Sequence, residues 1–186
     1  MNTLKQYLIT DPHFYSNDCE KFEASLSKVL TTHSVEYACF RDKESNNIQE
    51  LAQIFIKVCK KFDIPNIYIN THLSLAKEFS FHGIHLNSAQ LGQVKEAKEL
   101  GLKTVFSCHS HEEVQNAIDE NIDMVTYSPI FFTPNKGQEK GIDELQNTLR
   151  KFDIPIIALG GIITKEHLEL LAQTDAKYFA SIRYFL

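Results

Sequence analysis

Eight short β-rich runs recur along this chain, at 6–10, 35–41, 66–70, 83–87, 103–108, 124–129, 155–161 and 177–182. Their centres are continuous apolar stretches such as Ile156-Ile157-Ala158-Leu159, the pattern of strands buried on both faces. Most connections carry helical spacing instead. Residues 48–62 place Leu51, Ile54, Phe55, Val58 and Cys59 on one stripe, 88–100 repeat it with Leu91, Val94, Ala97 and Leu100, and 18–30 with Phe22, Leu26, Val29 and Leu30. Segment 110–120 opens with Ser110 and has Glu113 three residues later, a capping-box pattern. Thr164 is a plausible N-cap for 164–172, and only 72–79 can be helical between the third and fourth strands. Strand alternating with helix implies right-handed βαβ crossovers and a parallel sheet.

Eight such strands suggest closure, so the expected fold class is α/β, a single (β/α)8 TIM barrel. The alternative, an open doubly wound sheet, is disfavoured because no Gly-x-Gly-x-x-Gly follows the first strand. The chain has 186 residues, against about 250 for a typical barrel. It stops four residues after the last predicted strand, so the expected barrel is compact and lacks the last outer helix. One domain over residues 1–186 is predicted from this length.

Composition excludes several classes. Thirteen Phe and seven Tyr supply ample apolar surface against disorder. With 24 acidic and 19 basic residues the net charge is −5, so no global basic footprint marks a nucleic-acid partner. No apolar run reaches the roughly 18 residues that span a membrane. Residues 1–10 turn polar before a signal-type segment can form. A cytoplasmic protein is expected. Cys19, Cys39, Cys59 and Cys108 form no Cys-x-x-Cys pair, which argues for reduced thiols and against a zinc site. Cys59 and Cys108 read as small buried hydrophobes.

In a (β/α)8 barrel the chemistry sits at the C-terminal ends of the strands. Those ends carry Arg41 and Lys43; Asn70; His85; Ser107 and His109; the segment Thr133-Pro134-Asn135-Lys136; Gly160-Gly161; and Ser181-Ile182-Arg183. Three cations, Arg41, Lys43 and Lys136, would meet at one mouth of an acidic protein. Gly160-Gly161 would let backbone N–H groups approach a ligand closely, and the loops after strands 7 and 8 are the usual phosphate cradle. A small, phosphorylated, aromatic or heteroaromatic ligand is the expectation. Singly each feature has a plainer reading. The dipeptides around Asp42 fit a solvated loop, the glycines a tight turn, His85 a hydrogen-bonded core residue, and His109 and His111 exposed helix caps. The conjunction at one barrel face favours function.

Read together, Tyr7-Leu8-Ile9-Thr10-Asp11, Phe40-Arg41-Asp42-Lys43, Ile69-Asn70, Gly83-Ile84-His85-Leu86, Ser107-Cys108-His109-Ser110, residues 129–136 and Ala158-Leu159-Gly160-Gly161-Ile162 resemble, in order, the motifs of the thiamine phosphate synthase/TenI family. The resemblance implies a (β/α)8 barrel, often dimeric, which leaves a homodimer open. It implies a small phosphorylated thiazole or pyrimidine ligand. In the synthase branch a thiazole phosphate is joined to a pyrimidine diphosphate with loss of pyrophosphate and with Mg²⁺. There Arg41, Lys43 and Lys136 would clamp the diphosphate, with Asn70, Thr133 and Asn135 adding polar contacts. Ser107 would lie beside the pyrimidine, and Gly160, Gly161 and Ser181 would hold the thiazole phosphate.

The departures from the motifs are as informative. Thr71 and Gln90 stand where synthases carry the two Asp residues that ligate Mg²⁺, a hard cation favouring charged oxygen. Cys39 replaces a pyrimidine-contacting Gln. Pro129 stands where the metal-free TenI branch, a thiazole tautomerase, carries its acid/base His. A tautomerase would need His85 or His109 as a substitute proton carrier titrating near neutrality. These losses rank a TenI-like or otherwise divergent thiamine-pathway enzyme ahead of a synthase, and a non-catalytic ligand-binding relative third. No cofactor is expected, and Mg²⁺ only for a synthase.

Overall fold

The computed structural model describes residues 4–186. Residues 1–3, part of the opening segment read above as unlike a signal, lie outside the described residues. All eight expected strands form: β1 Lys5–Ile9, β2 Tyr37–Phe40, β3 Asn66–Asn70, β4 Gly83–Leu86, β5 Lys103–Cys108, β6 Met124–Tyr127, β7 Ile156–Leu159 and β8 Tyr178–Ser181. Each pairs in parallel with the next, and β1 pairs with β8 through Tyr7 opposite Ala180. The sheet therefore closes into a (β/α)8 barrel and the open-sheet alternative falls.

Side chains alternate across each strand, and this sorts the apolar residues into two cores. Tyr7, Ile9, Cys39, Tyr68, Val105, Met124, Ile157 and Ala180 fill the barrel interior. Its lower half is aromatic, with the Tyr7 ring 5.8 Å from Tyr37 and 6.0 Å from Tyr68. The intervening residues, among them Leu8, Phe40, Ile84, Phe106 and Phe179, face outward against the helices.

The short α1 (Pro12–Tyr15) and α2 (Cys19–Thr32) follow β1. Then come α3 (Ile48–Lys61), α4 (Leu73–Glu78), α5 (Val94–Glu99), α6 (His111–Asp119), α7 (Gly141–Lys151) and α8 (Lys165–Leu171). The predicted stripe of α3 is the buried face: Leu51, Phe55, Val58 and Cys59 are essentially inaccessible. Each such large apolar side chain contributes roughly 1.5–3 kcal/mol on leaving water. Ser110 caps α6 by accepting from the Glu113 amide at 3.1 Å, and Thr164 caps α8. Cys59 and Cys108 are buried thiols, as expected.

Two connections differ from the sequence expectation. The single helix over 88–100 is broken into a 3-10 turn, Ser88–Gln93, and α5, because Gln90 leaves helical geometry to bond elsewhere. The connection between β6 and β7 carries α7, a helix not assigned from periodicity. After β8 a 3-10 turn, Arg183–Phe185, leads to Leu186. Among the described residues no helix is long and apolar enough to cross a membrane.

Candidate functional site

A cavity of about 230 Å³ opens at the C-terminal ends of the strands. Of the residues singled out in the sequence, Arg41, Asn70, His85, His109, Thr133, Lys136, Gly160, Gly161 and Ser181 all line it. Lys43, Ser107 and Asn135 do not line it directly. Ser107 stands immediately behind His85. Asn135, in the left-handed conformation at φ 61°, lies on the exposed turn before Lys136. Lys43 is exposed at the same rim, where partial burial and the charges of Arg41 and Lys136 lower its pKa. That mutual effect places the three cations within one electrostatic field.

Arg41 is set by the end of β1. Its amide donates to Thr10 Oγ1 at 2.9 Å, and its guanidinium pairs with Asp11. Asp42 does not belong to a solvated loop: it is 4% exposed, and its Oδ1 accepts from the amides of Glu44 and Ser45 at 2.9 Å. The chain after β2 is thus folded tightly beneath the cations.

The opposite wall is built by glycine. Gly160 and Gly161 have φ of 95° and 70°, a region that side chains resist. A Cβ on Gly160 would sit 2.7 Å from Pro129 Cα, and one on Gly161 2.6 Å from the Phe131 carbonyl oxygen. That close approach lets the Ile130 amide donate to Leu159 O at 2.9 Å and the Phe131 amide to Gly160 O at 3.0 Å. The loop after β6 is thereby stapled to the end of β7, and Thr133 is held over Gly160.

Ser181 departs from its expected part. Its hydroxyl donates to Ile162 O at 2.7 Å and accepts from the Tyr184 amide at 3.1 Å. It ties the β7 loop to the turn after β8 and has no proton left for a phosphate. Among the described residues, the N–H groups of Gly161, Ile162, Ile182 and Arg183 make no intrachain hydrogen bond outside regular elements, so the donors at this end are backbone.

His85 forms the cavity floor, 3% exposed. Its Nδ1 lies 3.2 Å from Tyr7 Oη and its Nε2 3.1 Å from Ser107 Oγ. Burial, helped by the Arg41 charge, pushes the imidazole down to about 4, so the expectation that it titrates near neutrality does not hold. Burial raises the Tyr7 phenol, which keeps it protonated beside Nδ1. His85 is then a neutral ring held between Tyr7 and Ser107, which suits positioning better than proton transfer. His109 differs: its Nδ1 lies 3.1 Å from Ser128 O and 3.2 Å from Ser128 Oγ, at the cavity wall. Cys39 is fully buried among the interior tyrosines, with its thiol pushed up to about 12 by burial, and does not reach the cavity.

The donors do not fit Mg²⁺. The Gln90 amide nitrogen donates to Thr71 O at 3.1 Å and to Gln93 Oε1 at 3.0 Å, and its oxygen accepts from the Asn87 amide at 3.2 Å. The two positions that carry carboxylates in the synthase motif are thus a closed, neutral cluster. The nearby carboxylates are committed as well, Asp11 to Arg41 and Asp42 to two amides. Among the described residues no three His, Cys, Asp or Glu side chains gather around one point.

Ser128 and Arg183 also line the cavity but were not singled out from sequence. Arg183 was visible at the end of the eighth strand; a lone loop arginine carries little weight until a cavity is placed beside it.

Known proteins share this architecture and sequence. The profile of the family described as thiamine monophosphate synthase matches residues 6–185. A putative thiamine-phosphate synthase 2 of Aquifex aeolicus is 30% identical over the full length of both chains. A putative thiamine-phosphate synthase of Geobacter sulfurreducens is 28% identical over 71% of this chain and 64% of that protein. The fold superposes on thiamine phosphate pyrophosphorylase from Pyrococcus furiosus with a TM-score of 0.82 at 22% identity, covering 97% of this chain and 86% of the other. A profile match from within β1 to the turn after β8 means that this chain belongs to the thiamine monophosphate synthase family.

Proposed function

We propose that the cavity joins a pyrimidine diphosphate to a thiazole phosphate and releases pyrophosphate, with side-chain cations in place of a metal. The observation that carries this reading is the pairing, in one cavity, of a cationic wall (Arg41, Lys136, with Lys43 at the rim) and a glycine-built wall of free backbone donors. Two anionic groups can then be held with a small apolar span between them. The carbon–oxygen bond to the diphosphate breaks, pyrophosphate leaves with the electron pair, and the freed pyrimidine carbon bonds to the thiazole. Charge grows on the departing group, where fixed cations stabilise it without reorganising. Synthase names among the relatives support this reading over the TenI-like one, as does the loss of His85 as a proton carrier near neutrality.

The test is pyrophosphate release from both substrates together, with Mg²⁺ and with excess EDTA. Release that needs both substrates and survives EDTA is expected; no release under either condition overturns the reading. The TenI-like reading keeps one supporting observation, His109 on the cavity wall with its Nδ1 engaged by Ser128. It would require proton exchange on a thiazole carboxylate phosphate that His109→Asn abolishes. Binding of either substrate without turnover in both assays would point to a non-catalytic ligand-binding relative.

A further inference from the structure

On the proposed function the wall between β7 and β8 holds an anion, yet its expected hydroxyl is spent: Ser181 bridges Ile162 O and the Tyr184 amide. What remains of the donors there is neutral backbone N–H, with one exception. Arg183 lines this end of the cavity beside Gly161, Ile163 and Ile182. Its side chain is exposed, and among the described residues it makes no ion pair. The backbone that carries it is anchored, because Phe185 of the same turn is 3% exposed and packs 6.0 Å from the Phe179 ring and 5.2 Å from His33. Tyr184 meets Phe179 edge-on at 5.3 Å. A fixed Cα thus sets an arginine without an ion-pair partner at the edge of a donor-lined wall.

We infer that Arg183 is a specificity-determining residue that makes the β7–β8 end of the cavity select a phosphate monoester dianion over the same molecule lacking its phosphate. This rests on the reading of that end as the thiazole-phosphate side of the site. Backbone donors also bind a neutral oxygen, though they bind an anionic one more strongly, whereas a guanidinium adds net positive charge and a two-pronged contact that only an anion returns. A phosphate monoester gains its second charge with a pKa near about 6, so the preference strengthens as pH rises through that value.

The experiment is calorimetric titration of the full chain with the phosphorylated thiazole alcohol, the same alcohol unphosphorylated, and inorganic phosphate, using the native protein, Arg183→Met and Arg183→Lys. Arg183→Met is expected to weaken the phosphate ester by roughly 10- to 100-fold, as for loss of a charge-assisted pair, and to leave the alcohol unchanged. Arg183→Lys should recover part of the loss, and the rise in affinity between pH 5.5 and 7.5 should flatten in Arg183→Met. Inorganic phosphate separates this inference from the proposed function. If phosphate binding depends on Arg183 while the thiazole ester binds no better than phosphate, the substrate assignment fails and the role of Arg183 stands. If Arg183→Met binds ester and phosphate like the native chain, loses ester and alcohol equally, or the native chain binds neither anion, the inference is overturned.

Discussion

Protonating His85 should destabilise the barrel from within. The ring is buried against Tyr7 Oη and Ser107 Oγ, and its pKa is held at about 4 in the folded chain, against about 6.5 when unfolded. Between these values the unfolded chain binds the extra proton, so folding stability rises with pH there and is lost as pH falls. The two-pKa relation gives a loss from this group of about 2 kcal/mol by pH 5 and about 3 kcal/mol by pH 4. For a chain of this size each kcal/mol moves the melting temperature by about 2–4 °C. The assay is urea unfolding of the native chain and His85→Asn at half-unit steps from pH 7.5 to 4.5. Asn removes the titration, although losing the two hydrogen bonds lowers its stability at every pH. The stability gap between the two proteins should therefore narrow by about 2 kcal/mol on going from pH 7.5 to 5. Exposed carboxylates common to both cancel in that difference. A gap that stays constant would refute the neutral, buried His85 and, with it, its assignment as the group that orients Ser107.

Other consequences follow from the same contacts. Gly161→Ala places a methyl 2.6 Å from the Phe131 carbonyl at φ 70°. It should cost about 1–3 kcal/mol, seen as a lower melting temperature, and weaken phosphate binding because the stapled loop must shift. Lys136→Met should raise the KM for the pyrimidine diphosphate roughly tenfold and leave the affinity for the thiazole phosphate unchanged, as steady-state kinetics and calorimetry would show. The double variant Thr71→Asp with Gln90→Asp should gain Mn²⁺ binding detectable by electron paramagnetic resonance, while the native chain shows none; equal binding by both would contradict the closed neutral cluster around Gln90.

Strand positions were legible because burial on both faces writes an uninterrupted apolar run such as Ile156 to Leu159. Closure was less direct: the count of eight suggested it, but the Tyr7–Ala180 pairing that makes it joins the two ends of the chain. Helix α7 shows an amphipathic stripe (Ile142, Leu145, Leu149) yet no start signal, since Lys140 offers no capping side chain. The break in the 88–100 helix comes from the bond between Gln90 and Thr71, 19 residues away, which no local spacing records. At the site, motif order brought Arg41, Asn70, His85, His109, Thr133, Lys136 and the two glycines to one cavity. Residue type misled at Ser181, whose hydroxyl suits a phosphate but is consumed by Ile162 O. Whether a polar group is free for a ligand is a tertiary fact.

The central claim is that one cavity has two anion-holding walls of different chemistry, and crystals soaked with pyrophosphate and the thiazole phosphate test it most directly. Density for pyrophosphate against Arg41 and Lys136, and for the phosphate ester against the Gly161 and Arg183 N–H groups, is the predicted result. Both anions on one wall, or either bound away from the strand ends, would contradict it.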